Sequence, residues 1–254
     1  MKARELMAEA QTVEKSTPLS EAIDRMRKEK TRRLLVTARG ELTGLLTLRD
    51  VNRVLGSRKK GYKAASSLHV ATATGQNFAR VLPDEQARTC ITLLCTLDSL
   101  AVVDGGRIKG LIAPQQVIFK FAPTGLAADH CSHPPVVEVS ERLVHARRLM
   151  LDGNLSRLPV TDHGELVSMI TEVNVVKALY ALRESGVEHR MDNRLESLLV
   201  GDVVKFDLVT APQDATMERV VGLMRTNDIG GVPLVDVFGA LAGVVTRRDV
   251  IRAI

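Results

Sequence analysis

The hydrophobic and polar positions of this 254-residue chain repeat one arrangement four times. In each copy, apolar residues first recur three and four positions apart, which predicts an amphipathic helix. Two short apolar runs separated by a turn glycine follow, and they predict an antiparallel pair of strands. A second helix follows. The four strand-turn-strand-helix copies are LVTARGELTGLLTLRDV (35–51), AVVDGGRIKGLIAPQQV (101–117), PVTDHGELVSMITEVNV (159–175) and VPLVDVFGALAGVVTRRDV (232–250).

The four copies are in register. The turn glycine always precedes by seven residues the start of the second helix, in the pairs Gly40 and Thr47, Gly106 and Ala113, Gly164 and Thr171, and Gly239 and Thr246. The upstream helices are predicted over 20–29, 84–97, 141–150 and 216–225. Ser20 and Ser140 are predicted N-caps. Because an extended run precedes each upstream helix, each repeat is predicted to be β-α-β-β-α, within an α/β (α+β) fold.

The repeats are expected to pair, because one repeat cannot cover both faces of its small sheet. Consecutive repeats are the natural partners. The predicted pairs and their repeats are 1–122 (about 1–60 and 66–122) and 123–254 (about 126–188 and 196–254). We expect the join near Pro123 and an exposed loop at 56–61.

Composition is that of a soluble globular protein, with 45% hydrophobic and 26% charged residues. No apolar run approaches the roughly 18–20 residues that a membrane-spanning helix needs. The N-terminal residues MKARELMAEA lack the apolar region of a signal peptide. We therefore expect a cytoplasmic protein with no membrane association. Three cysteines do not make a disulfide framework.

Charge is unevenly distributed along the chain. Residues 1–125 hold 21 Lys and Arg against 12 Asp and Glu, whereas residues 126–254 hold 14 against 18. This asymmetry fits either a solvated surface or an anion site in the first half. It also leaves open a nucleic-acid-associated regulator. Against that hypothesis stand the 3% aromatic content and the lack of a recognisable DNA-binding helix pair.

Motifs of catalysis are not found. The sequence has no Walker loop, no G-x-G-x-x-G and no recognisable nucleophile motif. The segment Asp129–His133 holds several potential metal ligands, but no partner cluster supplies another at zinc-like spacing. We therefore predict no enzyme activity, no catalytic cofactor and no metal site.

The repeated pattern resembles the cystathionine-β-synthase (CBS) domain family. The resemblance rests on the apolar strand ending in RLPV or GVPLVD, the turn glycine, and G-h-h-T-x-x-D (h, apolar), as in GLLTLRD and GVVTRRD. It covers essentially the whole chain, as four CBS motifs in two tandem pairs, or Bateman modules. It implies a regulatory module that binds an adenosine-containing ligand such as AMP, ADP or ATP in a cleft between paired repeats.

The first predicted site lies in repeat 1. The resemblance assigns the ribose hydroxyls to Asp50, and Arg32 and Arg33 are candidates for phosphate because guanidinium offers two parallel donors. The full set of predicted site residues is Thr12, Arg32, Arg33, Leu34, Thr47, Arg49 and Asp50. A solvated basic surface and a plain helix cap are the structural alternatives for the arginines and the aspartate.

Repeat 4 carries the most complete motif, with Asp249 as the ribose residue and Arg247 and Arg248 toward phosphate. Its adjacent glycines would let a ligand approach the backbone closely, although they would also serve as a simple helix stop. The predicted residues are Thr210, Ile229, Gly230, Gly231, Val232, Pro233, Thr246, Arg247, Arg248 and Asp249.

The other two repeats depart from the motif. Repeat 3 has Arg157 and Thr171 but Asn174 in place of the aspartate, which predicts weaker binding or a different ligand. Repeat 2 has Ala113 and Gln116 and is predicted to be structural. S-adenosylmethionine or NAD are alternative ligands of the same fold. A homodimer and an unknown regulated partner protein complete the hypothesis.

Overall fold

The computed structural model describes residues 1–57, 63–121, 123–185 and 191–254. The predicted α+β fold of four β-α-β-β-α repeats is confirmed over these residues. The loop predicted at 56–61 falls for the most part outside them. None of the described helices is both long enough and apolar enough to cross a membrane.

Repeats 1 and 2 occupy the first half of the chain, preceded by one short helix. Their elements are α1 (Ala3–Leu6), β1 (Thr12–Glu14), α2 (Leu19–Lys28), β2 (Arg33–Ala38), β3 (Glu41–Thr47), α3 (Leu48–Leu55), the 3₁₀ turns Ala65–Ser67 and Val70–Thr72, β4 (Phe78–Val81), α4 (Ala87–Leu94), β5 (Ser99–Asp104), β6 (Arg107–Ile112) and α5 (Pro114–Ile118).

Repeats 3 and 4 follow the same order, with one extra helix between them. Their elements are the 3₁₀ turn Ala127–His130, β7 (Val137–Glu138), α6 (Leu143–Asp152), β8 (Arg157–Asp162), β9 (Glu165–Thr171), α7 (Glu172–Glu184), α8 (Met191–Ser197), β10 (Ala211–Pro212), α9 (Met217–Thr226), β11 (Gly231–Val235), β12 (Leu241–Thr246) and α10 (Arg247–Ala253).

The predicted N-caps at Ser20 and Ser140 are wrong. Helix α2 begins at Leu19 with Pro18 as its N-cap, so Ser20 lies inside the helix. Helix α6 begins at Leu143 with Arg142 as its N-cap. In both helices the cap position carries no capping side chain, because the chain enters from an extended residue whose backbone conformation sets the boundary.

Each repeat forms one three-stranded sheet. The first strand runs parallel to the second, and the second runs antiparallel to the third; in repeat 1, Val13 pairs with Val36 and Leu34 pairs with Leu46. The hairpin turns at Gly40 (φ +82°) in a left-handed conformation that glycine adopts without strain. The turn glycine of the sequence pattern therefore marks the hairpin.

Contacts divide the chain into two compact units, each with one repeat from either half. The 1/3 unit contains Gln11–Gln76 and Pro135–Leu208; the 2/4 unit contains Met1–Ala10, Asn77–Pro134 and Val209–Ile254. This division differs from the halves 1–122 and 123–254 that the sequence suggested. Pairing of consecutive repeats through their sheets stays a prediction.

The physical basis of this division is a shared core. In the 1/3 unit, α3 packs on α7, and buried side chains of repeats 1 and 3 form one cluster. In the 2/4 unit, α5 packs on α10 in the same way. Representative core residues are Leu34, Leu46, Val51, Leu158 and Val175 in the first unit, and Leu100, Ile112, Val117, Val232 and Val250 in the second.

Arginines of repeat 3 hold the C-terminal end of α3. The buried Arg183 donates to the carbonyl oxygens of Leu55 (2.7 Å) and Lys63 (2.5 Å). Arg147 donates to the side-chain and carbonyl oxygens of Asn52 (2.9 and 3.1 Å). The last carbonyls of a helix lack intrahelical partners and carry partial negative charge, so guanidinium groups stabilise this end.

We expect Arg183→Met to lower the free energy of unfolding by about 2–4 kcal/mol, because buried carbonyl groups lose a charged donor. Urea unfolding followed by circular dichroism measures this in a chain without Trp. Arg27→Met is the control: Arg27 is 79% exposed, so its ion pair with Asp24 should contribute less than about 1 kcal/mol. Equal losses in the two variants would contradict a special role for Arg183.

Candidate functional site

The last helix of each repeat begins with the same hydrogen bond. The residue at the third helical position accepts from the backbone N–H of the N-cap residue. The four pairs are Asp50 with Thr47 (3.2 Å), Gln116 with Ala113 (3.0 Å), Asn174 with Thr171 (3.0 Å) and Asp249 with Thr246 (2.8 Å). This side-chain bond satisfies the backbone N–H of the N-cap residue, as one half of a capping box does.

This cap needs an oxygen atom but no charge. Gln116 and Asn174 serve it with neutral amides in repeats 2 and 3. The carboxylates of Asp50 and Asp249 therefore carry a negative charge beyond what capping requires. Repeats 1 and 4 are the two repeats that the sequence singled out as ribose sites.

Asp249 has an oxygen that can still accept hydrogen bonds. Its Oδ2 accepts from the Thr246 hydroxyl (2.6 Å) and backbone N–H. Its Oδ1 lies 4.0 Å from the Arg252 guanidinium, which is beyond hydrogen-bond distance. The residue itself is buried, at 7% exposure. A carboxylate offers about four acceptor positions, so Oδ1 can receive sugar hydroxyls.

Asp50 is held more completely. Its Oδ2 accepts from the Thr47 hydroxyl (2.5 Å), and its Oδ1 accepts from Arg53 (2.9 Å). The Arg53 side chain is 61% exposed, so water can replace this bond at little cost. A ligand that uses both oxygens of Asp50 has to share Oδ1 with Arg53 or displace it.

Asn174 is committed to the protein. Its Oδ1 accepts from the Thr171 hydroxyl (2.5 Å), and its Nδ2 donates to the carbonyl of Val203 (3.0 Å). The predicted partner Arg157 is buried, at 6% exposure. The oxygen and the nitrogen of the Asn174 amide are therefore both hydrogen-bonded to the protein, and weaker binding in repeat 3 stays a prediction.

The arginines that the sequence assigned to phosphate contact protein groups in the structure. Arg49 donates to Glu172 (2.8 Å) and to Asn154, and the paired side chains of Arg49 and Glu172 are only 13% and 14% exposed. Arg248 donates to Asp98 (3.1 Å). Phosphate binding through the same nitrogen atoms would have to replace these contacts, whereas the other N–H groups of each guanidinium can donate in addition.

Arg247 likewise contacts the protein, at the turn between α9 and β11. Its guanidinium donates to the carbonyl of Ile229 (3.3 Å) and lies 3.8 Å from Asp228. Its backbone N–H donates to the carbonyl of Gly230 (3.2 Å). These hydrogen bonds connect the N-terminal end of α10 to the turn that leads into β11.

The remaining predicted residues of repeat 1 lie at the edge of its sheet or in the core. Arg33 is opposite Thr47 across β2 and β3, and Thr12 is opposite Leu35 across β1 and β2. The half-buried Arg32 accepts the Leu48 N–H with its carbonyl (3.2 Å). The Leu34 side chain lies in the core, and its backbone lies in the central strand, opposite Leu46.

The predicted residues of repeat 4 follow the same arrangement. Gly231 is opposite Thr246, and Pro233 is opposite Val244. The Val232 side chain lies in the core of the 2/4 unit. Thr210 immediately precedes β10 and belongs to no strand. The structure thus brings Gly231 next to the helix cap and places the Val232 side chain away from it.

Segments that the sequence reasoning missed cross the third strand beside both carboxylates. In the 1/3 unit, Gly75 pairs with Leu45 (N–O distances 2.8 and 3.0 Å). In the 2/4 unit, Ser132 pairs with Val244 (2.9 and 2.8 Å). A Cβ at Gly44 would lie 2.1 Å from the Thr74 side chain, so the crossing requires glycine there.

Burial and, to a lesser extent, the charge of Asp249 raise the pKa of the Cys131 thiol, which lies in this crossing segment. A Cβ at Gly243 would lie 2.5 Å from its sulfur. The crossing segments could have been predicted from the glycine of G-h-h-T-x-x-D. At Gly44 and Gly243, this glycine leaves the space in which the crossing segment lies.

The described residues also form a cavity away from both aspartates. A cavity of about 300 Å³ is lined by Thr12, Glu14, Thr17, Glu21, Arg25 and Thr37 among others, and includes no other predicted site residue. Among all residues that the structure describes, no group of three or more His, Cys, Asp or Glu residues is placed to hold a metal ion.

A family model described as CBS domain matches three segments, residues 3–57, 127–181 and 200–254. Together they cover more than half of the chain. The second repeat, which lacks both the threonine and the aspartate of the motif, is not among the matched segments.

A relative with matching length is the uncharacterized protein MJ1225 of Methanocaldococcus jannaschii, 25% identical over 95% of this chain and 94% of the relative. Its crystal structure, described as that of a proposed archaeal homolog of γ-AMPK, matches with a TM-score of 0.87 over 99% of both chains at 23% identity. An uncharacterized conserved protein from Pyrococcus horikoshii matches with a TM-score of 0.64 over 99% of both chains at 17% identity.

Enzymes also share this sequence pattern in part. Inosine-5'-monophosphate dehydrogenase of Thermoplasma acidophilum is 30% identical over 106 residues, which are 42% of this chain and 19% of the enzyme. The likeness thus reaches a small part of that enzyme.

We expect Asp50→Asn and Asp249→Asn to change the free energy of unfolding by less than about 1 kcal/mol, because the amide oxygen preserves the cap and only a helix-dipole term and, at Asp50, an exposed ion pair with Arg53 are lost. Asp249→Leu removes the oxygen and should cost about 1–2 kcal/mol. Urea unfolding of the three variants distinguishes these cases. If Asn is as damaging as Leu, the carboxylate is needed for folding and is not surplus to the cap.

Proposed function

Because the chain belongs to the CBS domain family, we propose that it is a regulatory module that binds an adenine nucleotide, AMP, ADP or ATP, through repeats 1 and 4. Asp50 and Asp249 hold the ribose of one ligand each. The module itself carries out no reaction, and it acts through a partner protein that responds to the occupied form.

The observation that carries this proposal is the surplus charge at the helix cap. Four helices in one chain start with equivalent caps, and two of them achieve this with amides. A buried carboxylate is costly unless it is well hydrogen-bonded. Asp249 is buried, and the Asp50 side chain is 16% exposed. Retaining a charge at both positions, where an amide would complete the cap, is explained better by a ligand than by the fold.

A ribose is the group that fits such a carboxylate. Its vicinal hydroxyls are two adjacent donors, and a carboxylate oxygen such as Asp249 Oδ1 offers two acceptor positions. Hydrogen bonds to a charged group contribute about 1.5–3 kcal/mol, which is enough to select a sugar diol. Asp249 Oδ1 is ready for this role, and Asp50 becomes so when the exposed Arg53 withdraws.

Phosphate binding is assigned to the arginines next to these caps. Arg49 and Arg248 each hold one carboxylate of the neighbouring repeat in their unit, Glu172 and Asp98. A phosphate can replace that carboxylate because both present planar oxygen pairs to a guanidinium. Ligand binding would thus exchange a contact between repeats for a contact with the ligand, and would change how the repeats hold together.

Isothermal titration calorimetry with AMP, ADP and ATP tests the proposal, using the wild type, Asp50→Asn and Asp249→Asn. We expect micromolar binding by the wild type at two sites. Each substitution should weaken one site at least tenfold, equivalent to about 1.4 kcal/mol, and leave the other unchanged. Asp228→Asn is the matched control, since Asp228 is 72% exposed and lies outside the cap.

Other ligands serve as decisive alternatives in the same titrations. Binding of S-adenosylmethionine but not of AMP, ADP or ATP would replace the proposed ligand and retain the ribose site. Salt-sensitive binding of nucleic acid alone would favour a nucleic-acid-associated regulator. Nucleotide binding that both aspartate variants leave unchanged would contradict the assignment of the ribose to Asp50 and Asp249.

A further inference from the structure

The carboxylate of Asp50 faces a residue from a distant part of the chain. Gly75 pairs with Leu45 through both of its backbone groups, and Gln76 donates its side-chain amide to the carbonyl of Thr43 (2.9 Å). These bonds fix the crossing segment over β3. A Cβ at Gly75 would lie 3.2 and 3.3 Å from the two oxygens of Asp50.

Glycine is needed at position 75 for the space that its missing side chain leaves, and not for an unusual backbone conformation. Gly75 is absent from the residues with positive φ, so its backbone is one that alanine also adopts. The Asp50 carboxylate has little freedom to retreat, since Thr47 holds one oxygen and Arg53 the other. A methyl group at position 75 would therefore cover the face of the carboxylate.

Equivalent crossing positions elsewhere carry side chains. Ser132 occupies the equivalent position over the third strand of repeat 4, and its hydroxyl donates to the Val244 carbonyl (3.1 Å). Ala8 occupies the equivalent position over the third strand of repeat 2, where it pairs with Leu111. The helix cap of that repeat has Gln116 in place of an aspartate. Of these three positions, the glycine is found beside Asp50.

We propose, on the basis of the nucleotide function above, that Gly75 keeps site 1, the ribose site at Asp50, accessible, because it leaves the carboxylate open to ribose hydroxyls; the ribose site at Asp249 is site 4. Ser132 makes site 4 the narrower of the two. A side chain at position 75 closes site 1 without unfolding the repeat.

Calorimetry with AMP tests this on Gly75→Ala, Gly75→Ser, Ser132→Gly and the wild type. We expect both Gly75 variants to weaken site 1 at least tenfold while site 4 keeps its affinity. Ser132→Gly should leave site 1 unchanged and should not weaken site 4. Gly222→Ala is the matched control, since a Cβ at Gly222 meets no atom within 4 Å, and its two affinities should equal those of the wild type.

A double variant separates action through Asp50 from a general disturbance. If Gly75 acts by covering the carboxylate, Gly75→Ala combined with Asp50→Asn should weaken site 1 no more than Asp50→Asn alone. Fully additive losses would overturn the proposal, as would wild-type affinity in Gly75→Ala. Thermal unfolding confirms that each variant folds. Absence of nucleotide binding by the wild type would instead overturn the proposed function, and this proposal with it.

Discussion

Each unit depends on the packing of the last helix of one repeat against the last helix of another. A three-stranded sheet with two helices is too small to enclose a core, so two repeats share one. In the 1/3 unit, the contact between Arg49 and Glu172 joins the N-terminal ends of α3 and α7, and the contact between Arg183 and Leu55 joins their C-terminal ends. The two helices therefore run parallel.

This parallel arrangement determines where the candidate ligand groups stand. Asp50 lies in the first turn of α3, and Asn174 lies in the first turn of α7. Since arginines connect the helices at both ends, a displacement of one helix start strains contacts with the other. Binding at Asp50 consequently has a direct physical route into repeat 3, through Arg49 and Glu172.

Much of the fold could be predicted from local pattern. Helical spacing and turn glycines are properties of neighbouring residues, and they located all four repeats. The helix cap at Asp50 was also predictable, because its partner Thr47 is three residues away. The start of α2 was not, since the extended backbone at Pro18 outweighed the capping preference of Ser20.

What escaped prediction depends on residues far apart in the chain. The sequence shows Arg49 beside Asp50 but gives no sign of Glu172, which lies 123 residues further on. The crossing of Gly75 over Leu45 likewise has no local signature. Shared cores were unpredictable for the same reason, because similar apolar faces on four similar repeats allow several pairings.

The two carboxylates show how one scaffold can yield unlike sites. Asp249 has an oxygen ready to accept, but Ser132 occupies the crossing position beside its cap. Asp50 has open space at Gly75, but Arg53 already donates to one of its oxygens, and Arg49 already forms a nearly buried pair with Glu172. A phosphate that replaced Glu172 on Arg49 would loosen the contact between α3 and α7, and one that replaced Asp98 on Arg248 would loosen the contact between repeats 2 and 4. On the proposed function, two unlike sites therefore follow from the same repeated motif, since its local geometry is constant and its distant neighbours are not.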